Sequence, residues 1–288
     1  TTGIGICPGF HCSVVVDRGY NAVLTILVQG SMELAIICLA AFIASGLTLF
    51  SGFGLGTLLM PVVAVFFPLE VAVAMTAVVH LANNLFKLLL LGRGADARVL
   101  LRFGIPAVLF AWIGAALLVD LSLGDAAIEY SLLGHVLSTS VLNLILGSLV
   151  LLFIVLELLP AMGRLSFDSK YLPLGGVLSG FFGGLSGHQG AFRSMFLIKA
   201  NLSKEAFIAT GVLIAVLVDM TRLLVYGIDL FSERQEIDWV VVAVASLSAF
   251  IGALLGRRLL KKITLRSVQL LVSAMLALIA IGLIFGLI

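Results

Sequence analysis

Charge is scarce in this chain. Lysine, arginine, aspartate and glutamate make up 11% of its 288 residues, where a soluble domain is near a quarter charged. The net charge is only +2, and no basic stripe carries interleaved aromatics, which excludes a nucleic-acid partner. Cysteine is equally sparse: Cys7, Cys12 and Cys38 make no disulfide framework. The grouping of Cys7, His11 and Cys12 lacks the second half of a zinc site. No metal and no cofactor is therefore expected. The short alternating strands of a membrane barrel are lacking too. Residues 1–31 show no signal-peptide cleavage pattern and are set apart as a leader, truncated or processed, with no chemistry read from them.

Apolar residues are what the chain has. They reach 61% of the sequence, with a mean hydropathy of +1.24. Runs such as Ser140 to Leu159 and Ser267 to Ile288 are as long as the roughly 20 residues that carry a helix across about 30 Å of hydrocarbon. The expected class is an all-α polytopic membrane protein, with the lipid bilayer as its first partner.

The chain also repeats itself. Adding 135 maps Ser51 onto Ser186, Gly52 onto Gly187, Asn84 onto Asp219, Lys87 onto Arg222 and Gly92 onto Gly227. "AWIGAALL" from Ala111 likewise resembles "AFIGALLG" from Ala249, at an offset of 138. Each half reads as a glycine-broken helical hairpin followed by three transmembrane helices. The first repeat spans 32–160, with elements over 32–68, 70–91, 97–119 and 140–159. The second spans 171–288, with elements over 171–200, 204–227, 237–258 and 266–288.

Lysine and arginine in short loops mark the cytoplasmic side. Arg93, Arg98 and Arg102 form one such cluster, and Arg257, Arg258, Lys261, Lys262 and Arg266 another. The loop holding Asp120, Asp125 and Glu129 has no basic residue and is placed outside, and the loop from Asp229 to Asp238 is acidic as well. The loop after the Lys87 helix is thus basic and the loop after the Arg222 helix acidic, so the halves are expected to have inverted topology with both termini external. Inverted repeats with broken helices characterise secondary transporters.

The second break reads "GGLSGHQGAFRS", Gly183 to Ser194, and the first "SGFGLGTLLMP", Ser51 to Pro61. A half-helix restarting after such a break points free N–H groups and a positive dipole end into the membrane, which suits an anion. The candidate substrate-binding residues are Ser51, Gly52, Gly54, Gly56, Ser186, Gly187, His188, Gln189, Gly190 and Arg193. Lys87 and Arg222 join them as cations within spans. Both lie about five residues from a helix end, so snorkelling to the interface is the competing reading. Asp219 pairs with Arg222 at i and i+3 or serves the site, and His80 is a satisfied core histidine or a proton carrier. His80, His188 and Asp219 are the proton-coupling candidates. The plain alternative for the glycines is close helix packing.

The blocks from Ser51 to Arg93 and from Gly175 to Gly227 resemble the two repeats of the TauE/SafE sulfite exporter family. The resemblance implies a bacterial inner-membrane permease for anions such as sulfite, thiosulfate or organosulfonates, driven by ion gradients. The chain departs from the family's glycine cluster and following proline, kept at Gly52, Gly54, Gly56 and Pro61. The second half has Gly187, His188, Gln189, Gly190 and then Phe196 to Ile198 instead.

The expectation is a secondary transporter of a small anion working by alternating access, not an enzyme. Protons are the candidate coupling partner, and a homo-oligomer is compatible with the reading. An anion channel is the alternative. A less favoured one is an intramembrane serine hydrolase at Ser186 in "GLSG", which lacks a histidine on a later helix.

Overall fold

A computed structural model of the chain describes residues 31–46, 48, 55–91, 94–124, 126–132, 134–159, 166–229, 237–259 and 265–287. Helix α1 is Ser31–Gly46 and α2 is Leu55–Val63. After Pro68 comes α3, Leu69–Leu91, with Glu70 in its first turn, where a carboxylate suits the helix dipole. Helix α4 runs Ala97–Leu123, and the Asp96 side chain caps its start by accepting from Val99 N at 2.8 Å. A π-turn over Leu100–Gly104 precedes Pro106, which has no N–H to donate back into the ladder.

Helix α5, Val141–Leu158, starts on Ser140, whose hydroxyl accepts from Asn143 N at 3.1 Å. Helices α6, Leu172–Ser186, and α7, Gly190–Leu197, are the two halves of the second broken hairpin. They are followed by α8, Lys204–Asp229, α9, Trp239–Leu259, and α10, Leu265–Ile284.

One expectation is corrected. The segment between α4 and α5, read as a loop of an all-α protein, contains an antiparallel hairpin of β1, Ala127–Leu132, and β2, His135–Ser140. Gly134 turns it at φ +82°. The hairpin lies against the end of α10, where Tyr130 Oη donates to Phe285 O at 2.9 Å and Thr139 Oγ1 to Leu283 O at 3.1 Å. Its β-branched and aromatic residues favour extended chain, a local signal masked by the apolar runs on either side. His135 is exposed here, away from the polar interior.

The helices turn apolar side chains both inward and outward. Leu89, Trp112, Leu224 and Leu278 are more than half exposed, while Ala72, Ala77, Leu118 and Leu146 are buried. Helices over Leu69–Leu90, Ala97–Leu123 and Lys204–Gly227 are long and apolar enough to cross a membrane, and Ser31–Gly46, Val141–Leu156 and Trp239–Leu255 are shorter apolar helices. A helix apolar on every face belongs in lipid, and the chain is an integral multi-pass membrane protein.

The closest packing joins α4 and α6. Gly176, Gly180 and Gly184 recur every fourth residue along α6, facing the backbone carbonyls of Phe103, Ala107 and Ala111, spaced likewise along α4. A Cβ at any of the three would run into a carbonyl oxygen, and Gly114 returns the same relation to Phe181 O. Small residues at this spacing let membrane helices touch through their backbones. Gly252 of α9 is set in the same way against Phe42 O of α1. Helix α3 packs on α8 and α9, α4 also packs on α8, and α5 packs on α10.

Candidate functional site

The α3–α8 contact carries the polar interior. Asp219, on α8, is fully buried. Its Oδ2 lies 2.7 Å from His80 Nδ1 and accepts from Asn84 Nδ2 at 3.0 Å. Its Oδ1 accepts from Gln189 Nε2 at 3.1 Å and lies 3.0 Å from Arg222 Nη2. That last contact is an ion pair by distance, although the nitrogen has no well-directed hydrogen bond.

The second break sets out the remaining groups. Helix α6 ends at Gly187, in the left-handed region at φ +82°, whose N–H reaches Gly183 O at 3.0 Å. This is the helix termination glycine permits without steric cost. Gly187 also leaves space for a neighbour, since a Cβ there would come within 2.9 Å of Arg222 Nη1. The same nitrogen lies 3.5 Å from Gly183 O, and Tyr226 Oη donates to Gly184 O. The exposed carbonyls at the end of α6 thus meet donors from α8, as a helix C-terminus requires.

Gln189 carries the turn into α7. Its carbonyl accepts from Ser179 Oγ at 2.9 Å, and its side-chain Oε1 lies 3.4 Å from Arg193 Nη1. Arg193 is half-buried and passes beside Gly211 of α8.

Lys87 answers Arg222 from the first half. Its Nζ donates to Thr48 Oγ1 at 2.9 Å, Thr48 donates to Ser45 O, and Ser45 Oγ donates to Asn83 Oδ1 at 2.9 Å. Lys87 to Thr48 and Arg222 to Gly183 are each 39 residues apart. Lys87 thus reaches Thr48, just beyond α1, and Arg222 reaches the last turn of α6. Lys87 is 5% exposed and Arg222 1%, so both side chains are enclosed by the protein.

The hydrolase reading has a geometric test in Ser186 and His188. His188 Nδ1 lies 2.9 Å from Ser186 Oγ, but also 3.1 Å from the Ser186 carbonyl oxygen. A carbonyl only accepts, so Nδ1 carries a hydrogen, while Ser186 Oγ donates its own to Phe182 O at 3.2 Å. In this arrangement His188 takes no proton from Ser186. The ring stacks on Phe153 at 4.6 Å, and Nε2 is left without a partner.

Of the other expected site residues, Gly190 begins α7 and is buried, and Gly56 lies in α2. Ser51, Gly52 and Gly54 lie outside the described residues. His80, His188, Gln189, Asp219 and Arg222 come together, with Arg193 and Lys87 beside them. Lys87 is within electrostatic reach of Arg193, and Arg193 of Asp219. Thr48, Ser45, Ser179, Phe153 and Tyr226 join the site as well. Tyr226 had a signal, one turn beyond Arg222 on the same face. The others are ordinary side chains that only the fold makes neighbours.

Four buried side-chain atoms among the described residues lack a hydrogen-bond partner: Asn83 Nδ2, His188 Nε2, and Arg222 Nε and Nη2. All are nitrogens. Asp219 is the one buried carboxylate among the described residues, against buried Lys87 and Arg222 and half-buried Arg193.

A polytopic helical bundle with this excess of donors around a helix break is built as a membrane permease. A match to the family described as Sulfite exporter TauE/SafE covers residues 37–283, most of the chain, and the protein belongs to that family of membrane transporters. Comparison with curated proteins and with solved structures gives no match.

Proposed function

We propose that the protein is a secondary transporter of a small oxyanion, a sulfur oxyanion or organosulfonate such as sulfite or thiosulfate, working by alternating access. The observation that carries this is the sign of what is unsatisfied. Asn83 Nδ2 and Arg222 Nε are buried donors with no acceptor, and the buried cations Lys87 and Arg222 outnumber the one described buried carboxylate. Buried polar groups are normally paired, and an unpaired charge in the membrane interior is costly. A guest with acceptor oxygens and negative charge relieves both deficits.

The anion lies between the breaks, beside Arg222, His188, Gln189 and Arg193 on one side and Lys87 and Asn83 on the other. The pattern of contacts supports an inverted repeat. Helix α4 of the first half packs on the broken hairpin of the second, α9 of the second meets α1 of the first, and the two equivalent helices α3 and α8 face each other. Two halves interlocked this way can rock about a central site and open it to either side. The basic and acidic loops support an orientation with both termini external, and the family resemblance supports a bacterial inner membrane.

The test is flux into proteoliposomes, using labelled sulfite, thiosulfate, sulfate and taurine. Saturable sulfite or thiosulfate flux, lost in Lys87→Gln and in His188→Ala, is expected. Absence of flux for all four, from protein shown to be folded, overturns the substrate class.

A further inference from the structure

Asp219 is shared between two sets of donors from different halves of the chain. Oδ2 faces His80 and Asn84 on α3, at 2.7 and 3.0 Å, and Oδ1 faces Gln189 and Arg222, at 3.1 and 3.0 Å. All five side chains are at least nine-tenths buried. When His80 is neutral, the charges of Asp219 and Arg222 cancel, and the carboxylate occupies the guanidinium. When His80 is protonated, the cluster carries one net positive charge, and the pull of the carboxylate is divided between two cations.

From this geometry we infer that His80 is a proton-binding site whose occupancy sets the anion affinity at Arg222, so that one proton and one anion bind together. The inference rests on the anion-transport reading above.

The proton has a defined destination. A carboxylate only accepts, so His80 Nδ1 already carries the hydrogen directed at Asp219, and the arriving proton forms an N–H bond at Nε2. Asn84 Nδ2 lies 3.4 Å from that nitrogen and 3.3 Å from Nδ1. The charged groups acting on His80 are Asp219 and Arg222, from α8, and Lys87, from its own helix. Helix α2 has no ionisable residue. Helix α1 offers the Ser45 hydroxyl to neighbouring Asn83. Helix α9 meets α3 through Phe250 stacked on Phe86, with Arg257 and Arg258 at its far end.

An anion arriving beside Arg222 and Lys87 cancels their field at His80. Proton and anion therefore favour each other, and the coupling is reciprocal. The sign follows: anion affinity is high at acid pH and falls as His80 loses its proton.

The experiment is titration calorimetry on the purified full chain in detergent, with thiosulfate as probe, in buffers of differing ionisation enthalpy. Thiosulfate, unlike sulfite, does not itself titrate near neutrality. Between the pH at which His80 titrates in the free protein and the higher pH at which it titrates with anion bound, wild type should take up about one proton per anion and lose about tenfold in affinity per pH unit. His80→Gln, or His80→Asn if the first does not fold, should bind at the wild-type alkaline affinity at every pH, with no proton uptake. Binding by wild type without proton uptake overturns the inference, as does uptake that survives in a folded His80 variant. Absence of binding for thiosulfate, sulfite and taurine alike would overturn the transport reading, and the coupling with it. That result is distinct from binding without a proton.

Discussion

Asn84 Nδ2 and Asp219 Oδ2 are 3.0 Å apart in space and 135 residues apart in sequence, the offset at which residues of the second half match those of the first. The contact joins α3 to α8. Here one is a neutral amide and the other a carboxylate, so the pair is alike in shape and unlike in charge. The carboxylate gathers His80, Asn84, Gln189 and Arg222 around itself.

That centrality makes Asp219 the residue whose loss the fold should feel most. Asp219→Leu leaves Arg222 buried with no carboxylate and takes the acceptor from three other side chains. Removing one partner of a buried ion pair costs about 3–5 kcal/mol. Thermal unfolding in detergent should show a clearly lowered midpoint, with part of the loss returned in the double variant Asp219→Leu with Arg222→Leu, which removes both charges. If the double variant is as unstable as the sum of the singles, the two residues do not act as a pair.

The α4–α6 seam gives a prediction with an internal control. Gly180→Ala sets a Cβ against Ala107 O, a backbone atom that moves only if the helices separate. Overpacking of this sort costs about 1–3 kcal/mol or more. Gly124→Ala meets nothing closer than 3.5 Å and should be nearly neutral. Comparison of the two melting temperatures checks the seam, and equal shifts would show that helix contact is not the reason for the glycine.

Gly187 joins backbone to site. An alanine there must hold φ at +82° and comes within 2.9 Å of Arg222 Nη1. The left-handed conformation alone costs about 1–2 kcal/mol, and the guanidinium must shift as well. Gly187→Ala should therefore reduce anion flux per folded molecule by more than its loss of stability explains. Flux normalised to folded protein in proteoliposomes measures this, and an unchanged normalised flux would separate the glycine from the site.

Much of the bundle could be read from the sequence because the membrane simplifies its grammar. Every spanning segment must satisfy its own backbone, so apolar runs, prolines and loop charges marked helices such as Lys204–Asp229 to within two residues of the expected 204–227. The second break could be read because glycine, histidine and glutamine are conspicuous in a lipid-facing chain. The β-hairpin at 127–140 was not legible, since strand alternation over six residues is faint beside twenty-residue apolar runs. Nor were the partners of the ionisable residues. The spacing of Asp219 and Arg222 suggested a pair, but nothing local says that His80 and Asn84 arrive from a helix more than a hundred residues away, or that Lys87 turns inward to Thr48.

Lys87 separates structure from function most sharply. Its ammonium is buried, and its hydrogen-bond partner is the neutral hydroxyl of Thr48, an arrangement that disfavours folding because no carboxylate offsets the lost hydration. A residue kept for stability would not be placed so. Lys87→Met, close in shape and without charge, should leave the melting temperature unchanged or raised, as often happens when a strained site residue is removed. The same substitution should lower thiosulfate flux by at least about tenfold, the effect of losing roughly 1.4 kcal/mol of interaction with the anion. Lys87→Arg, which keeps the charge, should retain part of the flux. If Lys87→Met both unfolds more readily and transports normally once folded, the lysine is a structural tie between α3 and Thr48, and the anion must be held by Arg222 and Arg193 alone.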